Sequence, residues 1–153
     1  RAVDVFTDQH SFVSDLKSTL GQHRRYGGIV LDVFFDHQLA NRFEHFDEKS
    51  LTEFSQNAYR ELSIASHIEN GVEFPERFCR VIDGMTTMDW LTGYSEQLNV
   101  ERALIGISRR LKRPVDLTEL MPWYEDNQAQ FENGFNDFYN DLLNHSERFS
   151  KTF

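Results

Sequence analysis

Apolar residues recur at helical spacing along the last third of the chain, and this pattern limits the fold more than any other feature. Most of them stand three, four, or seven to eight positions apart, as residues on one face of an α-helix do. They are Trp123, Phe131, Phe135, Phe138, Leu142 and Leu143. Only three prolines and eight glycines interrupt the 153 residues, and no long segment alternates with a period of two. The sequence therefore predicts an all-α protein.

The chain length fits a single helical domain spanning residues 1–153, because no repeat, low-complexity tract or linker divides it. No apolar run approaches the roughly 18 residues that cross a bilayer, so no membrane partner is expected. The single cysteine, Cys79, excludes an internal disulfide and is typical of a reducing compartment. We therefore expect a cytoplasmic protein.

Capping and breaking residues place the helices. Ser50 and Glu53 have the spacing of a capping box, Gly21 is expected to end the first helix, and Pro75 suits a first helical turn. Gly84 is expected to loosen the helix that contains it. The predicted helices begin and end near residues 11–20, 29–46, 51–68, 75–94, 99–111 and 123–149.

The formal charge of −9 argues against a nucleic-acid partner, whose binding requires neutralisation of phosphates. Positive charge is nevertheless concentrated at His23–Arg25 and Arg109–Arg113. These clusters either face an anionic partner or are solvated helix ends, the second cluster lying favourably at a helix C-terminus. Composition alone leaves both interpretations open.

Two aspartates suggest a site. On a helix, Asp32 and Asp36 lie one turn apart on the same face. Ile29, Val33 and Phe43 share their arc, so both carboxylates are predicted to lie within the apolar face. Because two like charges repel and their burial is costly, something must compensate them.

A shared proton, a facing arginine or a divalent cation would provide that compensation. Hard oxygen ligands suit Mg²⁺ or Mn²⁺, and the adjacent His37 can join Asp32 and Asp36 as a ligand. The alternative is a structural role, in which the two acids form buried salt bridges with Arg24, Arg25 or Arg109. Asp4 and Asp8 repeat the four-residue spacing and can meet the same site, although Thr7-Asp8 also resembles an ordinary helix start.

The segment from Arg1 to Asp8 resembles the His-Arg-x-Ile/Val-Asp-x-x-Thr-Asp motif of acyl carrier protein phosphodiesterases. Arg24-Arg25, Leu31-Asp32-Val33 and Asp36-His37 are similar to the next block of that family in order and spacing. Later landmarks are Pro75-x-Arg77-Phe78, Trp90-Leu91, Ser108-Arg109-Arg110 and Trp123-Tyr124. The resemblance extends over essentially the whole chain.

This resemblance implies a helical bundle related to HD-type phosphohydrolases and a Mn²⁺ or Mg²⁺ requirement. The implied reaction hydrolyses the phosphodiester that joins 4′-phosphopantetheine to a serine of holo-acyl carrier protein, an acidic protein partner. The family has a preceding helical segment and a His before the residue that matches Arg1, so the chain is expected to be N-terminally incomplete.

The resemblance also implies roles for individual residues. The implied catalytic residues are Asp36, His37 and Asp32. The implied metal ligands are Asp36, Asp32, His37 and Asp4. The implied substrate-binding residues are Arg1, Asp8, Arg24, Arg25, Arg109 and Arg110. Two other functions remain open, namely hydrolysis of a nucleotide or another small phosphodiester, and a non-catalytic helical binding module.

Overall fold

A computed structural model describes residues 2–67 and 76–150, and every regular element within these ranges is helical. The α-helices are α1 (Ala2–Gln9), α2 (Ser11–Ser18), α3 (Gly27–Arg42), α4 (Leu51–His67), α5 (Glu76–Thr87), α6 (Trp90–Gly93), α7 (Gln97–Ser108), α8 (Met121–Asp126) and α9 (Gln128–Ser150). Short 3-10 helices occupy Gly21–Tyr26, Phe43–His45 and Leu117–Leu120. The prediction of an all-α protein is confirmed.

Aromatic stacking against α3 forms the centre of the hydrophobic core. The rings of Phe34 and Tyr124 are parallel with their centroids 4.1 Å apart, and Phe131 meets Tyr124 edge-on at 5.0 Å. All three side chains are fully buried, and burial of a large apolar side chain stabilises a fold by about 1.5–3 kcal/mol. Helices α2 and α7 close the core with Leu16 and Leu104. Helix α3 is thereby fixed in position.

The predicted cap at Ser50 is confirmed. The Ser50 hydroxyl accepts a hydrogen bond from the Glu53 backbone N–H at 3.2 Å, and α4 begins at the next residue, Leu51. Helix α2 ends earlier than predicted, at Ser18 with Thr19 as its C-cap, and Gly21 begins the following 3-10 helix with a φ of +54°, a left-handed conformation that glycine adopts without strain. Helix α5 continues through Gly84 to Thr87, so the expected loosening there is wrong. Pro75 lies outside the described residues.

The long final helix of the prediction is two helices. The Asn127 side-chain amide donates to the Trp123 carbonyl oxygen at 2.7 Å, and its backbone leaves helical geometry with φ −101° and ψ 10°. This asparagine ends α8, and α9 begins at Gln128. Tyr124 on α8 and Phe131 on α9, seven residues apart, both pack against Phe34 of α3.

Helix α1 is not among the predicted helices, and α3 differs from its predicted extent. The opening segment forms an α-helix from Ala2. Helix α3 begins at Gly27 and ends at Arg42, where a 3-10 turn follows. A Cβ on Gly27 would lie 3.0 Å from Leu20 Cδ1 and 3.1 Å from Lys17 Cγ, so this glycine allows the Lys17 stem to cross close over the start of α3. No helix in the described ranges is both long and apolar enough to span a membrane.

Candidate active site

The first three helices bring charged residues together at one place. Helix α1 contributes Asp4 and Asp8, α2 contributes Lys17, and α3 contributes Asp32 and Asp36. Partial burial raises the pKa of Asp32, the charge of Lys17 lowers it, and the charges of Asp8 and Asp4 raise it further. These residues, called the acidic cluster below, therefore lie within electrostatic range of one another. The expectation that Asp4 and Asp8 meet the same region agrees with this geometry.

The aspartates of α3 face outward. Asp32 and Asp36 are both exposed, and the neighbouring Ile29 is 45% exposed. The opposite side of α3 faces the core, where Val30 and Phe34 are fully buried. The prediction that both acids lie within the apolar interior is therefore wrong.

The reason for this error is that α3 is apolar around most of its circumference. Val30, Leu31 and Val33 are buried on different sides of the helix, so the spacing does not define a single inward arc. Phe43, which the prediction used, lies beyond the end of α3. Because a carboxylate is far more costly to bury than Ile29 is to expose, the helix turns its acidic stripe toward solvent.

The Asp36 carboxyl group is the most perturbed acid of the cluster. Partial burial, followed by the negative charge of Asp32, raises its pKa to about 6. Burial also raises the pKa of the Tyr94 and Tyr139 hydroxyls, and the Asp36 charge adds to both shifts. Although the residue as a whole is exposed, its carboxyl group therefore lies close to protein on one side. At neutral pH the Asp36 carboxylate is therefore negatively charged, and no nearby positive group among the described residues offsets its charge.

Lys17 supplies the positive charge within the acidic cluster. Its Nζ atom lies 2.7 Å from Asp8 Oδ1, and its side chain is 21% exposed. No sequence pattern marks this residue. No spacing along the chain connects Lys17 with Asp8 or Asp32, because the three residues lie on three helices. The only feature of the sequence related to the position of Lys17 is Gly27, because the absence of a side chain there leaves room for the lysine stem.

His37 faces the α6–α7 side of α3. Its Nδ1 lies 2.6 Å from the Tyr94 carbonyl oxygen, and its ring meets Tyr124 edge-on with centroids 5.8 Å apart. Because a carbonyl oxygen only accepts hydrogen bonds, Nδ1 carries a proton, and Nε2 lies 3.4 Å from the Asn41 side-chain nitrogen. The imidazole is thus held in one tautomer.

The donor set determines which metal site is chemically reasonable. Among the residues that the structure describes, no three His, Cys, Asp or Glu side chains form a group that could hold a metal. Asp32 and Asp36 nevertheless offer hard oxygen atoms one turn apart with net negative charge. Mg²⁺ is commonly bound by one or two carboxylates, with water and substrate phosphate completing its octahedron. The two carboxylates fit an open site of this kind rather than an all-protein cage.

The basic residues are separate from these acids. Arg24, Arg25, Arg109 and Arg110 are all exposed. Within residues 2–67 and 76–150, none of them forms an ion pair with Asp32 or Asp36. The buried salt bridges of the structural alternative are therefore not formed there. Arg109 caps the C-terminus of α7, as the helix-end interpretation expects, and Arg1 lies outside the described residues.

Comparisons with known proteins cover nearly the whole chain. The family model described as acyl carrier protein phosphodiesterase matches residues 1–142. A protein of Serratia proteamaculans (strain 568) named acyl carrier protein phosphodiesterase is 30% identical over 154 residues, covering 94% of this chain and 72% of its own length. Proteins of the same name from Klebsiella pneumoniae (strain 342) and Yersinia pestis are 28% and 26% identical, and each alignment covers 96% of this chain and 75% of the relative. No solved structure gives a significant match.

Proposed function

The chain belongs to the acyl carrier protein phosphodiesterase family, and we propose that it hydrolyses the phosphodiester between 4′-phosphopantetheine and a serine of holo-acyl carrier protein. Water adds to phosphorus, the bond from phosphorus to the serine oxygen breaks, and that oxygen takes up a proton. The products are apo-carrier and free 4′-phosphopantetheine. The observation that carries this proposal is the coupled pair Asp32 and Asp36, open to solvent on α3.

The proposed cofactor is Mn²⁺ or Mg²⁺ held by Asp32 and Asp36. Support comes from the raised pKa of Asp36, because a carboxylate that is short of positive charge gains most from a nearby cation. A divalent ion there would lower the pKa of water and offset negative charge on the phosphoryl oxygens. Asp4 is proposed as an additional ligand, since its charge already reaches Asp32.

His37 is proposed as the proton-transfer group. The Tyr94 carbonyl oxygen holds the proton on Nδ1, which leaves Nε2 as the atom that accepts a proton. Lys17 remains in the acidic cluster, where Asp8 orients its ammonium group. A fixed cation beside the carboxylates attracts an anionic phosphodiester and limits the repulsion that four carboxylates would otherwise exert on it.

The exposed arginines are proposed to receive the acidic carrier. Arg24 and Arg25 follow α2, whereas Arg109 and Arg110 follow α7. No acidic side chain of the described chain pairs with any of them. On a protein with a net charge of −9, unneutralised arginines are the surface to which an acidic partner is steered. Arg1 and Asp8 are proposed as further substrate contacts by the family resemblance.

The experiment incubates the full-length protein with holo-acyl carrier protein and Mn²⁺ and measures the intact mass of the carrier. The proposal predicts loss of the phosphopantetheine mass and its appearance as free 4′-phosphopantetheine. Asp15, an exposed acid on α2 outside the acidic cluster, provides the matched control, because Asp15→Asn should retain activity that Asp32→Asn loses. An unchanged carrier mass, or faster hydrolysis of nucleotide phosphodiesters than of the carrier, would overturn the assignment.

A further inference from the structure

A groove of about 360 Å³ runs between α6 and α7. Its floor is formed by Arg102, Gly106 and Ile107 of α7, together with Arg110 just beyond the end of that helix. Trp90 and Tyr94 form the facing wall. The volume of the groove is that of a small-molecule site rather than of a helix-binding surface.

The lining of the groove combines apolar surface with positive charge. Trp90 is 41% exposed, and Met88 at the rim is 72% exposed. The Arg102 guanidinium donates to the Asn99 side-chain oxygen at 3.1 Å. No hydrogen bond or ion pair joins the Arg110 side chain to another residue in the described part of the chain. The groove thus suits a ligand with an apolar body and a group that accepts hydrogen bonds from arginine.

Gly106 keeps the floor of the groove open. A Cβ atom at this position would meet no other atom within 4 Å, so packing does not require glycine here. Glycine is also a poor residue for the interior of a helix such as α7. What its missing side chain provides is free space along the groove between Arg102 and Arg110.

Tyr94 connects the groove with the acidic cluster. Its side chain lines the groove, and its carbonyl oxygen is hydrogen-bonded to His37 Nδ1. The Asp36 charge acts on its hydroxyl group. A ligand in the groove therefore lies against a residue that also borders the proposed reaction site.

We infer that this groove binds the phosphopantetheine arm of the carrier, with its apolar segments against Trp90 and Ile107, a carbonyl oxygen of the arm accepting a hydrogen bond from Arg102, and its phosphate at the side of Tyr94 that borders the acidic cluster. The inference rests on the proposed function for the identity of the ligand. The volume, the positive charge and the shared Tyr94 wall favour the arm over a segment of the carrier protein itself.

The test fills the groove and measures binding separately from catalysis. Calorimetry with free 4′-phosphopantetheine should show binding to the wild type and ~10-fold or weaker binding to Gly106→Leu, whose side chain occupies the floor. Gly106→Ala is the matched control and should bind within about twofold of the wild type. Circular dichroism confirms that both variants are folded.

A second pair of variants tests the charge. Arg102→Gln should weaken binding of free 4′-phosphopantetheine ~10-fold, because a charge-assisted hydrogen bond is lost. Lys112→Gln removes an equal charge from a nearby residue outside the groove and should have no effect. Wild-type affinity in Gly106→Leu, or equal losses in Arg102→Gln and Lys112→Gln, would overturn the groove assignment. Failure of the proposed function would appear differently, as retained binding without hydrolysis of holo-carrier.

Discussion

Asp36 lies one helical turn after Asp32 on the exposed face of α3, and the charge of Asp32 adds to the burial that raises the pKa of Asp36 to about 6. A neighbouring carboxylate and a nearby protein surface both disfavour the ionised form. The fold therefore maintains a repulsive pair at its surface. A bound cation would relieve that repulsion, which explains why the pair is the centre of the proposed site.

Replacement of Asp36 by Asn should stabilise the metal-free protein at high pH. The folded-state pKa of about 6 exceeds the ordinary value of 3.8, so the contribution of Asp36 to stability is complete below pH 3.8 and is lost as the pH rises through 6. Because Asn carries no charge, the stability of the variant does not fall in this way as the pH rises. The free energy of unfolding of the variant should exceed that of the wild type by about 1 kcal/mol at pH 8. This value is smaller than the energy equivalent of the full pKa shift, because solvent screens an exposed carboxylate.

Urea denaturation in the presence of a chelator at pH 4 and pH 8 measures this gain. The advantage of Asp36→Asn should shrink toward zero at pH 4, and Asp15→Asn should show no comparable pH dependence. An equal difference between variant and wild type at both pH values would contradict the raised pKa.

Lys17→Met should raise the pKa of Asp32. The lysine charge lowers that pKa in the folded protein, and methionine retains an apolar stem of similar length to pack over Gly27. The exposed Lys17–Asp8 pair contributes little stability, so the free energy of unfolding should change by less than about 1 kcal/mol. Carboxyl-carbon NMR titration measures the pKa, with Lys49→Met as the control at an exposed lysine. An unchanged Asp32 titration would show that Lys17 does not reach the cluster.

Phe34→Ala should be among the most destabilising single changes in the chain. The ring is fully buried and stacked on Tyr124, so its loss leaves a cavity and should cost about 3–5 kcal/mol. Phe54→Ala provides the comparison. Because Phe54 is 39% exposed, its replacement should lower the free energy of unfolding by about 1 kcal/mol or less. Thermal or urea unfolding measures both. Equal costs would mean that Phe34 is not at the centre of the core.

Gly134 and Gly106 should respond in opposite directions to the same substitution. A Cβ on Gly134 would overlap the Phe12 ring, so Gly134→Ala should destabilise the protein by about 1–3 kcal/mol. A Cβ on Gly106 meets open space, so Gly106→Ala should stabilise it by up to about 1 kcal/mol. Melting temperatures compare the two variants directly. Stabilisation by Gly134→Ala would refute the close packing of α2 on α9.

Local signals predicted much of the helical architecture. The Ser50 cap and the Phe-rich face of α9 depend on interactions within a few residues, and each is found in the structure. The spacing of Asp32 and Asp36 likewise sufficed to place them one turn apart.

Contacts between different helices could not be predicted from the sequence. An α3 that is apolar on most sides could not reveal which arc faces solvent, and only packing against Tyr124 and Phe131 decides it. Lys17 reaches Asp8 and Asp32 across helix boundaries, which no spacing rule describes. The break at Asn127 involves neither glycine nor proline and depends on a side-chain hydrogen bond.

Calorimetric titration of the full-length protein with Mn²⁺ most directly tests the claim that Asp32 and Asp36 hold a cation. We expect clear binding at pH 7.5 and binding at least ~10-fold weaker at pH 5, where protons compete for Asp36. Binding should be lost in Asp32→Asn and Asp36→Asn but not in Asp15→Asn. Undiminished Mn²⁺ affinity in both cluster variants would contradict this claim.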